Sequence, residues 1–166
     1  VGAERGTFRG AVSSAKGEAN AYAFAEIFSS MAYRLAGAQG PVLRATGQLR
    51  FADGRQADMT DAWLVGGSSS VRGFDLGAIS GNTGQILQMA LYQPLPWKAV
   101  DAPEVFVFAD HGRAVKDDVS RRIGSAGVGL QFQMDRRWSV ETAVTQQTHG
   151  FQGARTRALL RTSLSW

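Results

Sequence analysis

Ser125-Ala126-Gly127-Val128-Gly129-Leu130-Gln131-Phe132-Gln133-Met134 alternates without a break. Ala126, Val128, Leu130, Phe132 and Met134 share one parity, and Ser125, Gly127, Gly129, Gln131 and Gln133 share the other. That is the period of a β-strand with one apolar and one polar face. Beyond a tight turn at Asp135-Arg136-Arg137 the pattern returns, with Trp138, Val140, Thr142 and Val144 opposite Ser139, Glu141, Ala143 and Thr145. The last segment sets Ala158, Leu160, Thr162, Leu164 and Trp166 against Arg155, Arg157, Arg161, Ser163 and Ser165. Such strands joined by short turns predict an antiparallel meander.

Working back from this anchor, Glu104–Asp110 is apolar on both parities, so its period assigns neither face. Leu87, Met89, Leu91, Leu95 and Trp97 stand opposite Gln88, Ala90 and Tyr92 in a strand that stops at Pro94 and Pro96. Before it, Leu43, Ala45, Leu49 and Phe51 oppose Arg44, Thr46, Gln48 and Arg50, with a turn at Gly37–Pro41 in front. Phe24–Leu35 fits a strand with Ile27, Met31, Tyr33 and Leu35 on one face, and it also fits a helix because Ala, Glu and Met favour one. Thr7–Ser13 reads as a weak strand. Between Asp53 and Gly84 lies a stretch rich in Gly, Ser and Asp with no sustained period, too long for an ordinary connection and therefore expected to be functional.

The 166 residues suit one domain, and 44% apolar content suits an ordered one. The net charge of +4 comes from Arg residues scattered singly, without the contiguous basic face that phosphate backbones require, so nucleic acid is not an expected partner. Absence of cysteine excludes disulfides, thiol catalysis and Cys-ligated metal. No apolar run is long enough for a transmembrane helix. Val1 is neither a start methionine nor part of a signal peptide, so the chain reads as cut at its N-terminus.

Two-faced antiparallel strands serve two environments. In a soluble sandwich the apolar faces meet each other, whereas in an outer-membrane barrel they meet lipid and the polar faces line a lumen. Three features favour the barrel: Trp97, Trp138 and Trp166 at strand ends, strand lengths near the ~9–11 residues of a tilted span, and alternating short and long connections.

Several motifs in order resemble the transporter subunit of two-partner secretion, the haemolysin/filamentous haemagglutinin secretion-activation family. They are Gly47-Gln48, Asp61-Ala62-Trp63, Gly66-Gly67, Val71-Arg72-Gly73-Phe74, Gly81-Asn82-Thr83-Gly84, Pro94-Leu95 and Phe108-Ala109-Asp110-His111-Gly112. Terminal Trp166 is similar to the insertion signal read by the barrel-assembly machinery. The resemblance covers about Phe24 to Trp166. Asp61, Asn82 and Ala90 depart from the usual residues, which are Glu, Asp and an acid.

The resemblance implies an all-β antiparallel transmembrane barrel in the bacterial outer membrane. About eight strands are expected over residues 1–166, the C-terminal half of a sixteen-stranded barrel, with loop 53–84 carrying Val-Arg-Gly-Phe. It implies export of a large unfolded β-rich protein as substrate, outer-membrane lipid and the assembly machinery as partners, and no nucleotide or cofactor. It also implies a loop-to-wall latch between Arg72 and Asp110. Geometry bears on the size: an eight-stranded barrel is filled by its own side chains, so a loop reaching inside needs a wider one. Two other readings stay open, the related outer-membrane insertase and a small structural or adhesive eight-stranded barrel.

An Arg fork and a carboxylate can share two charge-assisted hydrogen bonds. Exposed to water such a pair is worth ~0–1 kcal/mol, but removing one partner of a shielded pair costs ~3–5 kcal/mol. Gly66, Gly67, Gly73 and Gly84 are expected to let the loop double back through positive φ. Arg44, Arg50, Arg155, Arg157 and Arg161 make either a basic lumen wall or the counter-charges of Glu26, Glu104, Asp110 and Glu141. Gly77–Gly84 lacks the Lys-Ser or Lys-Thr of a phosphate loop, His111 and His149 are isolated, and no nucleophile elbow is present. Asp53, Asp58 and Asp61 lack the fixed spacing of a calcium loop. Catalysis is not expected.

Overall fold

The computed structural model describes residues 3–14, 21–37, 40–53, 62–97, 101–135, 138–150 and 155–164. Its main chain is all β: β1 (Ala3–Ser14), β2 (Ala21–Arg34), β3 (Val42–Asp53), β4 (Trp63–Val65), β5 (Ile79–Gly81), β6 (Thr83–Pro94), β7 (Asp101–Lys116), β8 (Val119–Asp135), β9 (Trp138–His149) and β10 (Thr156–Leu164). Eight of these form one antiparallel sheet in the order β1-β2-β3-β6-β7-β8-β9-β10. The order is that of the chain, as the meander requires. β1 and β10 do not pair, so the sheet is an open wall rather than a closed barrel. β2 is a strand and not a helix: pairing on both sides with β1 and β3 outweighs the helix preference of its Ala, Glu and Met residues.

Register sorts the side chains into two solvents. One row across the wall runs Tyr33, Leu43, Leu91, Val107, Val128, Val144 and Ala158, each directly opposite the next. The same face carries Ile27, Leu49, Leu87, Met89, Met134, Trp138 and Leu160, and these apolar side chains are exposed, Leu160 to 73%. A row on the other face runs Ser30, Thr46, Gln88, Asp110, Ser125 and Gln147. A soluble sheet would hide the first row and wet the second, and here the apolar face is the bare one. β7 is apolar on both parities because Phe106 and Phe108 are covered on the polar face. Their rings lie over Gly129 and Gly127 of β8, where a Cβ would collide with them, and Tyr92 stacks on Phe106 at 4.9 Å.

Connections at the two ends of the wall differ. At one end lie the long segment between β3 and β6 and the hairpin tip Asp117-Asp118. Both of those Asp residues have positive φ, 49° and 63°, as a two-residue hairpin turn of the right twist demands. β7 and β8, of 16 and 17 residues, outrun the length of a tilted span and project at that end. The turn at 136–137, Asp61 and Trp166 lie outside the described residues.

Candidate functional site: a loop docked on the polar face

From residue 62 to β6, the segment is more ordered than its composition suggests. β4 and β5 pair with each other as a small ribbon, Trp63 opposite Gly81 and Val65 opposite Ile79. The residues between fold into a tight return: the Gly67 amide donates to the Phe74 carbonyl at 3.1 Å. Ser70 Oγ accepts from the Gly66 amide and donates to the Gly66 carbonyl, both at 2.8 Å. Gly66 and Gly73 supply backbone turns at φ +119° and +86°, a region that side chains with a Cβ rarely adopt. Gly67 shares this conformation, but Gly84 does not; it sits inside β6 opposite Ala114, where its missing Cβ leaves room for the Arg113 carbonyl.

The return folds back over the polar face. Val65, Val71, Ile79 and Trp63 pack with Ile86, Ala114 and Ile123 of the wall into one buried cluster. Gly112 makes that approach feasible, since a Cβ there would strike Val65 and Val71. Arg72 then reaches Asp110: Nε donates to Oδ2 and Nη2 to Oδ1, each at 2.7 Å, and the Arg72 amide donates to Oδ2 at 3.0 Å. The guanidinium carbon stands 3.7 Å from the Phe108 ring centroid. Asp110 is 4% and Arg72 7% exposed, so this is the shielded kind of pair. Burial works against the charge of Arg72, but the hydrogen bonds and charge of Asp110 outweigh it and hold its pKa above the ordinary value.

Three further contacts carry the chain across the strands. Gly73 passes so close to Thr145 of β9 that a Cβ would collide with Oγ1, and Gln147 Nε2 donates to the Gly73 carbonyl at 2.7 Å. Phe74 packs against the buried cluster and beside Gly150. Asp75 accepts from Arg157 of β10 at 2.7 and 3.3 Å. Asp75 is fully solvated, and the Arg157 hydrogen bond and charge hold its carboxyl below the ordinary carboxylate value. Val-Arg-Gly-Phe-Asp thus straps β7, β9 and β10 together. Asp75 and Gln147 were not singled out by sequence reasoning; parity extended two residues past Thr145 would have placed Gln147 on the polar face.

Two further arginines of the polar face are paired with acids. Arg44 meets Glu104 at 3.3 Å and stacks over Tyr92; Arg50 meets Glu26 at 3.2 Å and covers the Phe24 ring. Arg161 stands directly opposite Glu141. Arg155 is exposed ahead of β10, its carbonyl accepting from the Gln147 amide. Arg44, Arg50 and Arg157 thus carry counter-charges, while no ion pair forms at Arg155 or Arg161 among the described residues. Beside the loop the polar wall leaves a cavity of about 380 Å³ whose lining includes Thr46, Gln48, Ser68, Ser69, Gln88 and Glu141.

No curated protein and no solved structure matches the chain. Residues 52–133 match the family described as haemolysin secretion/activation protein ShlB/FhaC/HecB, a span that holds the loop, its Arg72 and the strands bearing Phe108, Asp110 and Gly112. Over that span the chain is similar to the ShlB/FhaC/HecB haemolysin secretion/activation family, which supports a relation to the transporters of two-partner secretion over that part of its length.

Proposed function

We propose that this wall is part of an outer-membrane translocation pore that exports a large unfolded β-rich protein of haemolysin or adhesin type. The observation that carries the reading is the loop docked by Arg72 on Asp110 over a polar face, while the opposite face is bare and apolar. Lipid is the solvent that suits the bare face. A loop of this size over the inner face needs more room than eight strands enclose, which supports a sixteen-stranded barrel of which this sheet is one half. Open strand edges do not persist in lipid, so β1 and β10 require partner strands.

In this reading the protein is a conduit and not an enzyme, and needs no nucleotide or cofactor. Paired charges suit passage of an unfolded chain because neither sign of substrate side chain is held long. Substrate, surrounding lipid and the barrel-assembly machinery are the partners.

The test is export of the cognate substrate by the full-length protein carrying Arg72→Ala or Asp110→Ala. Both lower export at wild-type levels of inserted protein, and normal export by both overturns the role of the latch. Planar-bilayer recordings test the pore itself: a closed eight-stranded barrel gives no large conductance.

A further inference from the structure

Arg113 of β7 and Arg122 of β8 stand directly opposite one another. They share parity with Val107 and Val128, so both lie on the bare face and not on the polar one. Like charges in directly opposed positions repel. Among the described residues neither Arg113 nor Arg122 pairs with a carboxylate, whereas Arg44, Arg50, Arg72 and Arg157 all do. Asp117 and Asp118 at the hairpin tip are exposed and make no ion pair with either. Arg113 Nε donates to Ser120 Oγ at 2.9 Å, which fixes the direction of its fork.

The height of the pair on the wall is set by the strand. Counting the ~9–11 residues of a tilted span back from Met134 along β8 ends at Gly124, and Arg122 is the next residue on that face. On β7, where Asp101 pairs with Gln133, the same count ends at His111, and Arg113 is next. Both strands therefore bring an arginine to the level where hydrocarbon gives way to headgroups. The end is the one bearing the long loop, which in outer-membrane barrels faces outward.

We propose that Arg113 and Arg122 form a clamp for the phosphate of an outer-leaflet lipid headgroup. Guanidinium forks match phosphate oxygens two by two, and one anion between the forks removes their mutual repulsion. The inference rests on the outer-membrane reading above.

The experiment uses the full-length protein extracted from outer membranes in non-ionic detergent, with diphosphorylated lipid A as probe and bound lipid counted by native mass spectrometry. Wild type retains the lipid, and Arg113→Gln/Arg122→Gln weakens retention by about tenfold or more, the scale of one lost charge-assisted hydrogen bond. Arg122→Gln alone, which removes no hydrogen bond within the described residues, gives a smaller loss and serves if the double variant does not assemble. Equal retention of dephosphorylated lipid A overturns the clamp. Full displacement of the lipid by millimolar inorganic phosphate makes it a free-anion site and overturns the lipid as its occupant. Protein absent from the outer-membrane fraction overturns both this inference and the reading beneath it. Inserted protein whose variants bind lipid A as wild type does overturns the clamp alone.

Discussion

The loop makes the same bond twice with unequal consequences. Arg72–Asp110 and Arg157–Asp75 are both forked Arg–Asp pairs with a shortest contact of 2.7 Å, and their loop residues are three positions apart. Yet the Asp110 side chain is wholly shielded, while that of Asp75 is 82% exposed. Distance does not separate them; solvent does. Around the first, Phe108 and the buried cluster leave little water to take over if a partner is lost. Around the second, water and salt replace either partner at almost no cost.

That contrast can be broken most forcefully at the inner pair. Asp110→Ala leaves the Arg72 charge buried and should destabilise the docked loop by about 3–5 kcal/mol, read as faster proteolysis at exposed Ser68-Ser69 and lower export. A change of less than about 1 kcal/mol would put Arg72 in the solvated class with Arg157. Next comes Gly73→Val, which forces a β-branched residue into positive φ against Thr145; a loss of about 1–3 kcal/mol in the same protection assay is expected. Gln147→Leu removes one neutral hydrogen bond to the Gly73 carbonyl and should cost about 0.5–1.5 kcal/mol.

The outer pair should yield the smallest effects. Asp75→Asn is expected to leave export intact and to change loop protection only at low ionic strength, the difference vanishing as salt is raised. Its pH dependence has a definite sign. A carboxyl depressed in the folded state contributes fully above its ordinary pKa of about 3.9 and loses that contribution as pH falls below it. Docking at β10 should therefore be flat from neutral pH to about 5 and loosen below about 4, with Asp75→Asn insensitive throughout.

How much of this was legible depended on whether a contact is local. Alternation in β8, β9 and β10 assigned both faces correctly, because a half-exposed strand writes its environment into every second residue. β7 resisted for a physical reason: Phe106 and Phe108 face the polar side but are hidden there by glycines, Tyr92 and Arg72, so both parities are apolar. β2 resisted because strand pairing, not residue preference, decides it. Arg72 and Asp110 were legible only through family motifs 38 positions apart. The pairing of Asp75 with Arg157, 82 positions apart, carries no local signal, and for Gln147 with Gly73, 74 apart, parity gives only the face of Gln147 and not its partner. Charge pairing across the wall follows the same rule, since Arg44 meets Glu104 only because β3, β6 and β7 lie side by side.

The glycines beneath Phe106 and Phe108 set a mechanical limit. With no Cβ at Gly129 and Gly127, the tips of the Phe106 and Phe108 rings settle onto the neighbouring strand where any side chain would collide with them. Both rings are covered in turn, Phe106 by Tyr92 and Phe108 by the Arg72 guanidinium, so the depth of each ring sets how closely the layer above it can approach the strands. Substituting Ala for Gly127 would push the Phe108 ring, and with it the docked Arg72, away from the wall without altering any charge.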